Sequence, residues 1–323
     1  MATLTDLPAD QPADQPADLP ADLPAGLVSR PLVRTDLPAV LDVMHEHEEQ
    51  VLGEAMIDLE DLEADWERPS FDAAADTVAV LAGDRLVAYG EVYRARRAEI
   101  YVHPQWWGRG IGTALMRWSW RRVQRAGAPL VGQTVPDAAH DAVRLLRHNG
   151  YSPLWTSWVL ALPPDAKVPQ VDLPVGYRIR PFLPGTDEQA VYRVVEDAFN
   201  EWPDRDPSQY PDWAAGVLGR PGFEPWHLSL VVHDARVVGM CYLILSGDTG
   251  WVHQVAVAAP HRGRGLAQAL LASAFADARA HGCARAELST DSRTGALGLY
   301  EHLGMQVTAT FTHWARRLDL AAQ

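Results

Sequence analysis

The sequence predicts an α/β protein made of two similar tandem domains, each with a central mixed β-sheet flanked by helices. The chain has 323 residues, more than one typical core holds, so two domains are expected. A glycine-containing segment at residues 107–112 returns 155 positions later, at residues 262–267. In each half, runs rich in Val, Leu and aromatic residues alternate with helical patterns, which indicates strands and helices in one core.

Residues 1–26 come first and are expected to form a disordered tail. From residue 7 they repeat the phrase Leu/Gln-Pro-Ala-Asp/Gly, whose prolines remove backbone donors and whose aspartates repel one another. The start lacks the basic stretch and apolar run of a secretory signal, and no stretch approaches the roughly 18 apolar residues of a membrane span. A cytoplasmic protein is therefore expected.

Two domains are predicted at residues 27–165 and 176–323, because four ordered matches relate the halves at a nearly constant offset. The matched segments begin at Arg30 and Arg180, at Leu86 and Val237, at Trp107 and Arg262, and at Leu145 and Leu299. Between the halves, prolines and the lack of any hydrophobic period make residues 166–175 the predicted linker.

The elements of the second half can be placed along the chain. Strands are predicted at residues 229–233, 237–245 and 251–258, which are rich in Val, Leu and aromatic residues and bounded by turn residues. A helix follows the glycine turn, because Leu266 and Leu270 begin an apolar face with four-residue spacing. The first half shows a similar order of elements.

Composition excludes several function classes. The chain has 28 basic and 42 acidic residues and a formal charge of −14, which disfavours nucleic acid and anionic membranes as partners and suits a cationic small molecule. Cys241 and Cys283 are the two cysteines and form no Cys-x-x-Cys pair. No metal site, redox motif or disulfide scaffold is predicted, and the oligomeric state is left open.

The segment at residues 255–267 reads as a strand, a short glycine turn and the start of a helix. Such a turn aims backbone N–H groups at one point, and the helix dipole adds positive potential there, which favours a pyrophosphate. Glycine allows a positive φ and a close approach of the phosphate. The spacing matches neither the Gly-x-Gly-x-x-Gly dinucleotide motif nor the Gly-Lys-Ser/Thr of a P-loop.

The spacing of Arg262, Gly265 and Ala267, Arg-x-x-Gly-x-Ala, resembles the acetyl-CoA loop of the GCN5-related N-acetyltransferases. The preceding strand, the following helix and the phrase Leu-Tyr-Glu-x-x-Gly-Met at residues 299–305 stand where that family has them. The two halves together resemble the tandem family that includes mycothiol synthase. The resemblance implies acetyl-CoA as donor, a primary amine as acceptor, and a coenzyme arm paired with the strand at residues 254–258.

This resemblance assigns coenzyme-binding residues in both halves. In the second half they are Val255, Ala256, Val257, Arg262, Gly263, Arg264, Gly265, Leu266 and Ala267. In the first half they are Gly108, Arg109, Gly110, Ile111 and Gly112. Trp107 stands where the family has Arg or Gln, so coenzyme binding in the first half is expected to be weakened but retained.

Acyl transfer to an amine needs a neutral nucleophile, stabilisation of negative charge on the carbonyl oxygen and a proton for the leaving thiolate. The resemblance implies that a backbone N–H of residues 255–257 serves the oxygen and that Tyr300 supplies the proton. The residue matching Tyr300 in the first half is Leu146, which has no proton to give. The second half is therefore predicted to be catalytic and the first non-catalytic.

Two residues remain candidates for the base. Many relatives carry a glutamate where this chain has His253 or Gln254; a neutral histidine can accept a proton, whereas a glutamine cannot. Strand alternation leaves open which face His253 points to. Glu201 is the second candidate, since it begins an acidic and aromatic segment, residues 201–206, that suits a protonated amine.

These observations predict an acyl-CoA-dependent N-acyltransferase, with acetyl as the expected acyl group and a small-molecule primary amine as acceptor, acting by direct transfer. A mycothiol precursor, an amino sugar and an amine-bearing natural product are the acceptors considered. Two alternatives stay open: acetylation of a peptide or protein amine, and a non-catalytic sensor or scaffold that binds acyl-CoA. The sequence does not separate acetyl from longer acyl donors.

Overall fold

Both halves of the chain repeat one order of strands and helices. The computed structural model describes residues 19, 20, 22–168, 170–201 and 207–319. The first half forms β1 (Leu27–Arg30), α1 (Leu37–Leu52), α2 (Leu59–Trp66), α3 (Ala73–Asp76), β2 (Thr77–Ala82), β3 (Arg85–Tyr93), β4 (Arg97–Val102), α4 (Ile111–Arg125), β5 (Leu130–Pro136), α5 (His140–His148) and β6 (Ser152–Leu162). The second half forms β7 (Tyr177–Pro181), α6 (Glu188–Phe199), α7 (Tyr210–Val217), β8 (Leu228–His233), β9 (Arg236–Ser246), β10 (Thr249–Val257), α8 (Leu266–Ala280), β11 (Arg285–Asp291), α9 (Leu297–His302) and β12 (Gln306–Arg317).

The predicted α/β fold class is confirmed. The predicted strands match β8, β9 and β10 to within two residues at each end, and the predicted helix matches α8. Each half has a mixed sheet, because β4 and β5 pair in parallel, as do β10 and β11, while the remaining neighbours are antiparallel.

The two halves exchange their last strands and so share one sheet. The strand order is β1-β2-β3-β4-β5-β12-β6-β11-β10-β9-β8-β7. β12 lies against β5, with Phe311 opposite Pro136, and β6 lies against β11, with Ala286 opposite Leu162. Residues 27–165 and 176–323 stay a prediction of where the repeat divides, and this division does not separate two sheets.

Helices cover the two faces of the sheet differently. On one face, here called the loop face, α4 and α8 pack through Leu115 and Phe275 into the cores beside the glycine turns. On the other, here called the groove face, α1 and α6 pack over the outer parts of the sheet through Val43 and Val195. α2 and α7 contact each other across the halves. The contact between α2 and α7 therefore bridges the groove that lies between α1 and α6 on this face of the sheet.

A histidine joins the halves on the groove face of the shared strands. His313 on β12 hydrogen-bonds through Nδ1 to the hydroxyl of Thr134 on β5 at 2.8 Å, and through Nε2 to that of Ser157 on β6 at 3.1 Å. Its ring stacks on Trp155, with ring centres 4.6 Å apart. Side-chain contacts thus reinforce the main-chain pairing at the seam.

The two halves of the predicted repeat share individual hydrogen bonds as well as strands and helices. Arg30 forms two bonds with the carboxylate of Asp36, at 2.6 and 2.8 Å, and Arg180 forms two with Asp187, at 2.5 and 2.9 Å. Each aspartate also accepts a bond from a backbone N–H three or four residues earlier, at 2.8 Å in both halves. Each pair fixes the turn between the first strand and the first long helix of its half.

The expected tail is partly ordered. Leu19 and Leu23 pack against the first-half core, Pro20 is buried, and Asp22 pairs with Arg117 of α4 at 2.6 Å. The prediction of disorder up to residue 26 is therefore wrong at its end, because leucines four residues apart provide an apolar contact. Residues 1–18 and residue 21 lie outside the described residues. The predicted linker lies between β6 and β7.

A buried arginine connects the two halves above the groove. Arg220, which follows α7, has 6% of its side chain exposed and bonds Asp58 at 2.9 Å and Asp61 at 2.5 Å, at the start of α2. Nearby, the backbone N–H of Ser70 donates to Asp212 of α7 at 3.1 Å. These contacts hold α2 over the second half.

Replacing Arg220 with alanine should destabilise the protein, because the carboxylates of Asp58 and Asp61 lose their counter-charge. We expect the free energy of unfolding to fall by about 2 to 3 kcal/mol, less than for a fully buried pair since Asp61 is partly exposed. Arg144→Ala, which breaks an exposed ion pair with Asp141, is the control and should cost less than about 0.5 kcal/mol. Urea unfolding of both variants measures this, and equal losses would contradict the prediction.

Candidate active site

Two glycine turns form matching cradles, one in each half. Gly263 and Gly265 have φ of 71° and 76°, and Gly108 and Gly110 have φ of 72° and 88°. A Cβ at Gly108, Gly110 or Gly263 would meet no atom within 4 Å, so the backbone conformation and not crowding requires glycine there. Gly110 and Gly265 directly precede the first residues of α4 and α8, whose N-terminal N–H groups therefore point into the cradles.

A cavity of about 300 Å³ lies at the second-half cradle. The structure brings six of the predicted coenzyme-binding residues together around it: Val257, Arg262, Gly263, Gly265, Leu266 and Ala267. The other lining residues are His261, Gln268 and Leu299. Of the remaining predicted residues, Val255 and Ala256 lie on β10, and Arg264 is an exposed residue of the turn. Backbone donors and the N-terminus of α8 suit a pyrophosphate in this cavity.

β10 and β11 separate next to this cavity. They pair at residues 249–252 with 285–288, and among the described residues no strand continues the pairing on that side of residues 254–257. A β-bulge at His253 accompanies the separation, because Val252 pairs with Leu243 on β9 and Gln254 with Tyr242. The gap exposes main-chain donors and acceptors of β10 to an extended ligand.

His253 projects onto the groove face beside this gap. Its ring meets that of Tyr242 edge-on, with centres 5.6 Å apart, and is exposed in the groove. The protein walls around it and the charge of Arg220 lower the pKa of His253, although solvent in the groove limits the shift. The imidazole is therefore neutral at pH 7. Strand alternation left open which face the side chain of His253 points to, and the bulge directs it to the groove face.

Tyr300 lies on the opposite, loop face, on α9. The residue is 7% exposed and packs in the core with α8. Burial raises the pKa of Tyr300 to about 12, the neighbouring Cys241 adds to the rise, and a hydrogen bond with Thr290 on β11 opposes it. The hydroxyl is thus protonated at neutral pH. Cys241, the neighbour of Tyr300, pairs with Val255 on β10. Tyr300 therefore lies beside the part of β10 that borders the gap.

Glu201 lies at the glycine turn and not beside His253. Its carboxylate accepts a hydrogen bond from Nη1 of Arg262 at 2.6 Å, and this bond lowers the pKa of Glu201. Nε of the same arginine donates to the carbonyl of Val257 at 2.9 Å. Because the ion pair with Arg262 holds this carboxylate at the glycine turn, while His253 stands beside the gap, the geometry favours His253 over Glu201 as the base. Residues 202–206 of the acidic segment lie outside the described residues.

The first half keeps the cradle but changes the surrounding side chains. Nε1 of Trp107 donates to the carbonyl of Val102 at 2.7 Å, the bond that Arg262 makes in the second half. β4 pairs with β3 in unbroken register, without a bulge. Leu146 is buried at the position of Tyr300, and the N–H of Tyr151 donates to its carbonyl at 3.1 Å, as that of Met305 does to Tyr300.

Several groups near the two sites could not be predicted from motifs. Arg220 and Tyr242 surround His253, but neither belongs to a motif. In the first half, Glu99 stands at the position that matches Gln254, and the constant offset could have revealed it. Burial and the charge of Glu99 raise the pKa of the neighbouring Glu91 to about 7.

In the first half β4 and β5 also separate, since they pair only at residues 97–98 with 132–133. A glycine cradle, a split between parallel strands and a helix N-terminus, present in both halves, define a class of proteins that bind coenzyme A thioesters. Residues 188–305 match the model of the acetyltransferase (GNAT) family, and residues 73–153 match that of an acetyltransferase (GNAT) domain. The chain belongs to the GNAT acetyltransferase family. It is an N-acetyltransferase that uses acetyl-CoA, and its two GNAT domains are arranged in tandem.

Curated relatives share most of the chain. The mycothiol acetyltransferase of Thermobispora bispora is 30% identical over 246 residues, which cover 72% of this chain and 78% of that protein. The mycothiol acetyltransferase of Saccharopolyspora erythraea is 28% identical over 83% of this chain and 88% of its own length.

Solved structures share the same architecture. A GCN5-related N-acetyltransferase from Sphaerobacter thermophilus has a TM-score of 0.74 and 31% identity, covering 91% of this chain and 96% of its own. A tandem GNAT protein from the clavulanic acid biosynthesis pathway has a TM-score of 0.70 at 18% identity, covering 90% and 98%. The second similarity concerns the fold alone. Within the described residues of the present protein, no helix has the length and apolar character needed to cross a membrane.

Both cradles should bind coenzyme A, the first-half cradle more weakly because Trp107 replaces an arginine. We expect calorimetry to detect two binding events per chain. Gly265→Val should abolish the tighter event and Gly110→Val the weaker, because a β-branched residue is strained at positive φ in either turn. The two variants control for each other, since both turns are exposed. One event per chain, lost in Gly265→Val and kept in Gly110→Val, would contradict binding by the first half.

Proposed function

We propose that the second half transfers an acetyl group from acetyl-CoA directly to a primary amine of a small molecule. The observation that carries this proposal is the gap between β10 and β11, which has His253 on the groove face, Tyr300 on the loop face and the cradle at its end. Several similar proteins are named mycothiol acetyltransferase, so a mycothiol precursor is the first acceptor to test. Amino sugars and other small amines follow.

The groove face is the side from which the amine approaches. Because His253 is neutral and has no hydrogen-bond partner among the described residues, it is available to accept a proton from the ammonium form or from the attacking nitrogen. The positive charge of Arg220 opposes protonation of the ring, which favours rapid release of that proton to solvent. The acidic surface of the chain favours the approach of a cationic acceptor.

The backbone of β10 and the hydroxyl of Tyr300 act on the thioester: the first on its carbonyl oxygen, the second on the leaving sulfur. Acetyl-CoA, when bound, supplies an activated thioester. A backbone N–H among residues 255–257, turned to the open side of β10, donates to the thioester oxygen as negative charge develops there. Tyr300 keeps its proton at neutral pH, and turning its hydroxyl from Thr290 toward the gap brings that proton to the leaving sulfur.

The proposed reaction is tested by following thiol release from acetyl-CoA with a panel of amines. The panel contains a mycothiol precursor, amino sugars and peptides with a free N-terminus, and Gly265→Val is the inactive control. We expect turnover with a small-molecule amine and a matching mass increase of the acceptor. Turnover restricted to peptides would show that the acceptor class is wrong. Saturable coenzyme binding without turnover would support a sensor or scaffold.

Replacing Tyr300 with phenylalanine keeps the ring in the core and removes only the hydroxyl. We expect kcat to fall by about 10²-fold, the lower end of the range for a positioned general acid, because thiolates leave readily. The affinity for acetyl-CoA should stay close to that of the wild type. Steady-state kinetics with the best amine measures both quantities.

Tyr151→Phe is the matched control, since it removes a buried tyrosine hydroxyl from the first half, where that hydroxyl bonds Trp120 and Gln133. It should lower the stability and leave kcat unchanged. Normal turnover of Tyr300→Phe across the pH range, together with loss of turnover in a first-half variant, would place the reaction in the other half.

A further inference from the structure

Three rings form a cluster behind the second-half cradle. Tyr177, the first residue of β7, pairs across the strands with His233 of β8, and their rings lie 4.3 Å apart. The hydroxyl of Tyr177 lies 2.9 Å from Nδ1 of His261, and the ring centres of the two histidines are 5.5 Å apart. His261 stands one residue before Arg262 and lines the cradle cavity.

The contact with Tyr177 leaves one nitrogen of His261 for a ligand. When the tyrosine hydroxyl donates to Nδ1, the ring proton resides on Nε2, which becomes a hydrogen-bond donor. Among the described residues, Nε2 has no hydrogen-bond partner. The ring is half-buried and held by two aromatic neighbours, so its orientation is fixed before a ligand arrives.

Two of the three side-chain nitrogens of Arg262, the first arginine of the turn, already have hydrogen-bond partners. Arg262 bonds the carboxylate of Glu201 and the carbonyl of Val257. A phosphate entering the cradle therefore meets backbone N–H groups, the remaining nitrogen of Arg262 and, as a further side-chain donor, the imidazole of His261.

The first half lacks this cluster. In the matching segments of the first half, Trp106 takes the place of His261, 155 positions earlier, and Leu27 that of Tyr177, 150 positions earlier. The ring of Trp106 is covered by the guanidinium of Arg109, 4.5 Å from its centre. The cluster is therefore a feature of the half that carries Tyr300 and not of the fold in general.

We propose that His261, oriented by Tyr177, binds a phosphate oxygen of the coenzyme through its Nε2–H. The contact adds a side-chain donor to the backbone cradle of the second half and strengthens coenzyme binding there. Coenzyme A has a pyrophosphate and a 3′-phosphate, which offer the same chemistry. The proposal concerns the coenzyme and does not depend on the identity of the acceptor amine.

The test is calorimetric titration of the full chain with coenzyme A and with 3′-dephospho-coenzyme A, without any amine. His261→Phe keeps an aromatic ring and should weaken the tighter binding event by roughly tenfold, the low end for a hydrogen bond to a charged group. His261→Gln, whose amide can donate, should recover part of that loss. Tyr177→Phe should weaken binding by about two- to fourfold, because the ring stays but its orientation is less fixed.

Trp106→Phe, at the matched position of the first half, is the control and should leave the tighter event unchanged. If the 3′-phosphate is the partner, the loss in His261→Phe appears with coenzyme A and disappears with the dephospho form. If the pyrophosphate is the partner, both ligands lose affinity equally. Unchanged affinity for both ligands in His261→Phe, with a melting temperature that shows a folded protein, would overturn the proposal. Because the readout is binding alone, it stays interpretable even if no amine is acetylated.

Discussion

The main-chain hydrogen bonds that β12 makes with β5 and β6 are the constraint on which the rest of the molecule depends. They insert a strand of the second half into the sheet of the first, while β6 of the first half closes the sheet of the second at β11. β11 is also one side of the gap next to Tyr300 and His253. The first half therefore supports the proposed reaction through the backbone, because it fixes the strand from which β10 diverges.

The two halves show how one scaffold can separate binding from chemistry. The glycine turns have almost the same backbone angles, and the bonds to Val102 and Val257 are matched although a tryptophan makes one and an arginine the other. The halves differ in the groups around this backbone: a bulge against an unbroken strand, a tyrosine against a leucine, and a histidine against a tryptophan before the turn. The backbone that holds a phosphate is thus conserved between the halves, and the side chains are not.

The repeat, the glycine turns and the helix after each could be predicted because they depend on local residue spacing and on positive φ at a few positions. The exchange of β6 and β12 could not, since both strands have similar apolar patterns and either pairing satisfies their hydrogen bonds. The direction of the His253 side chain could not be predicted either, because the bulge at this residue interrupts the alternation of side chains along the strand. Arg220 gives no local signal, as its partners lie about 160 residues away. Leu19 and Leu23 were assigned to a tail because the prolines around them outweighed the leucine spacing.

The exchange of strands also bears on how the chain assembles during synthesis. β5 and β6 are made long before β12, the strand that must lie between them, and Leu130 finds its partner only when Arg317 has been added. Until then the first half has two open sheet edges, which can pair with each other or with another chain. Contacts between residues so far apart in sequence also form slowly. The turns that Arg30 and Arg180 form with Asp36 and Asp187 are local contacts, six and seven residues apart, so they can form in each half before the last strand completes the sheet.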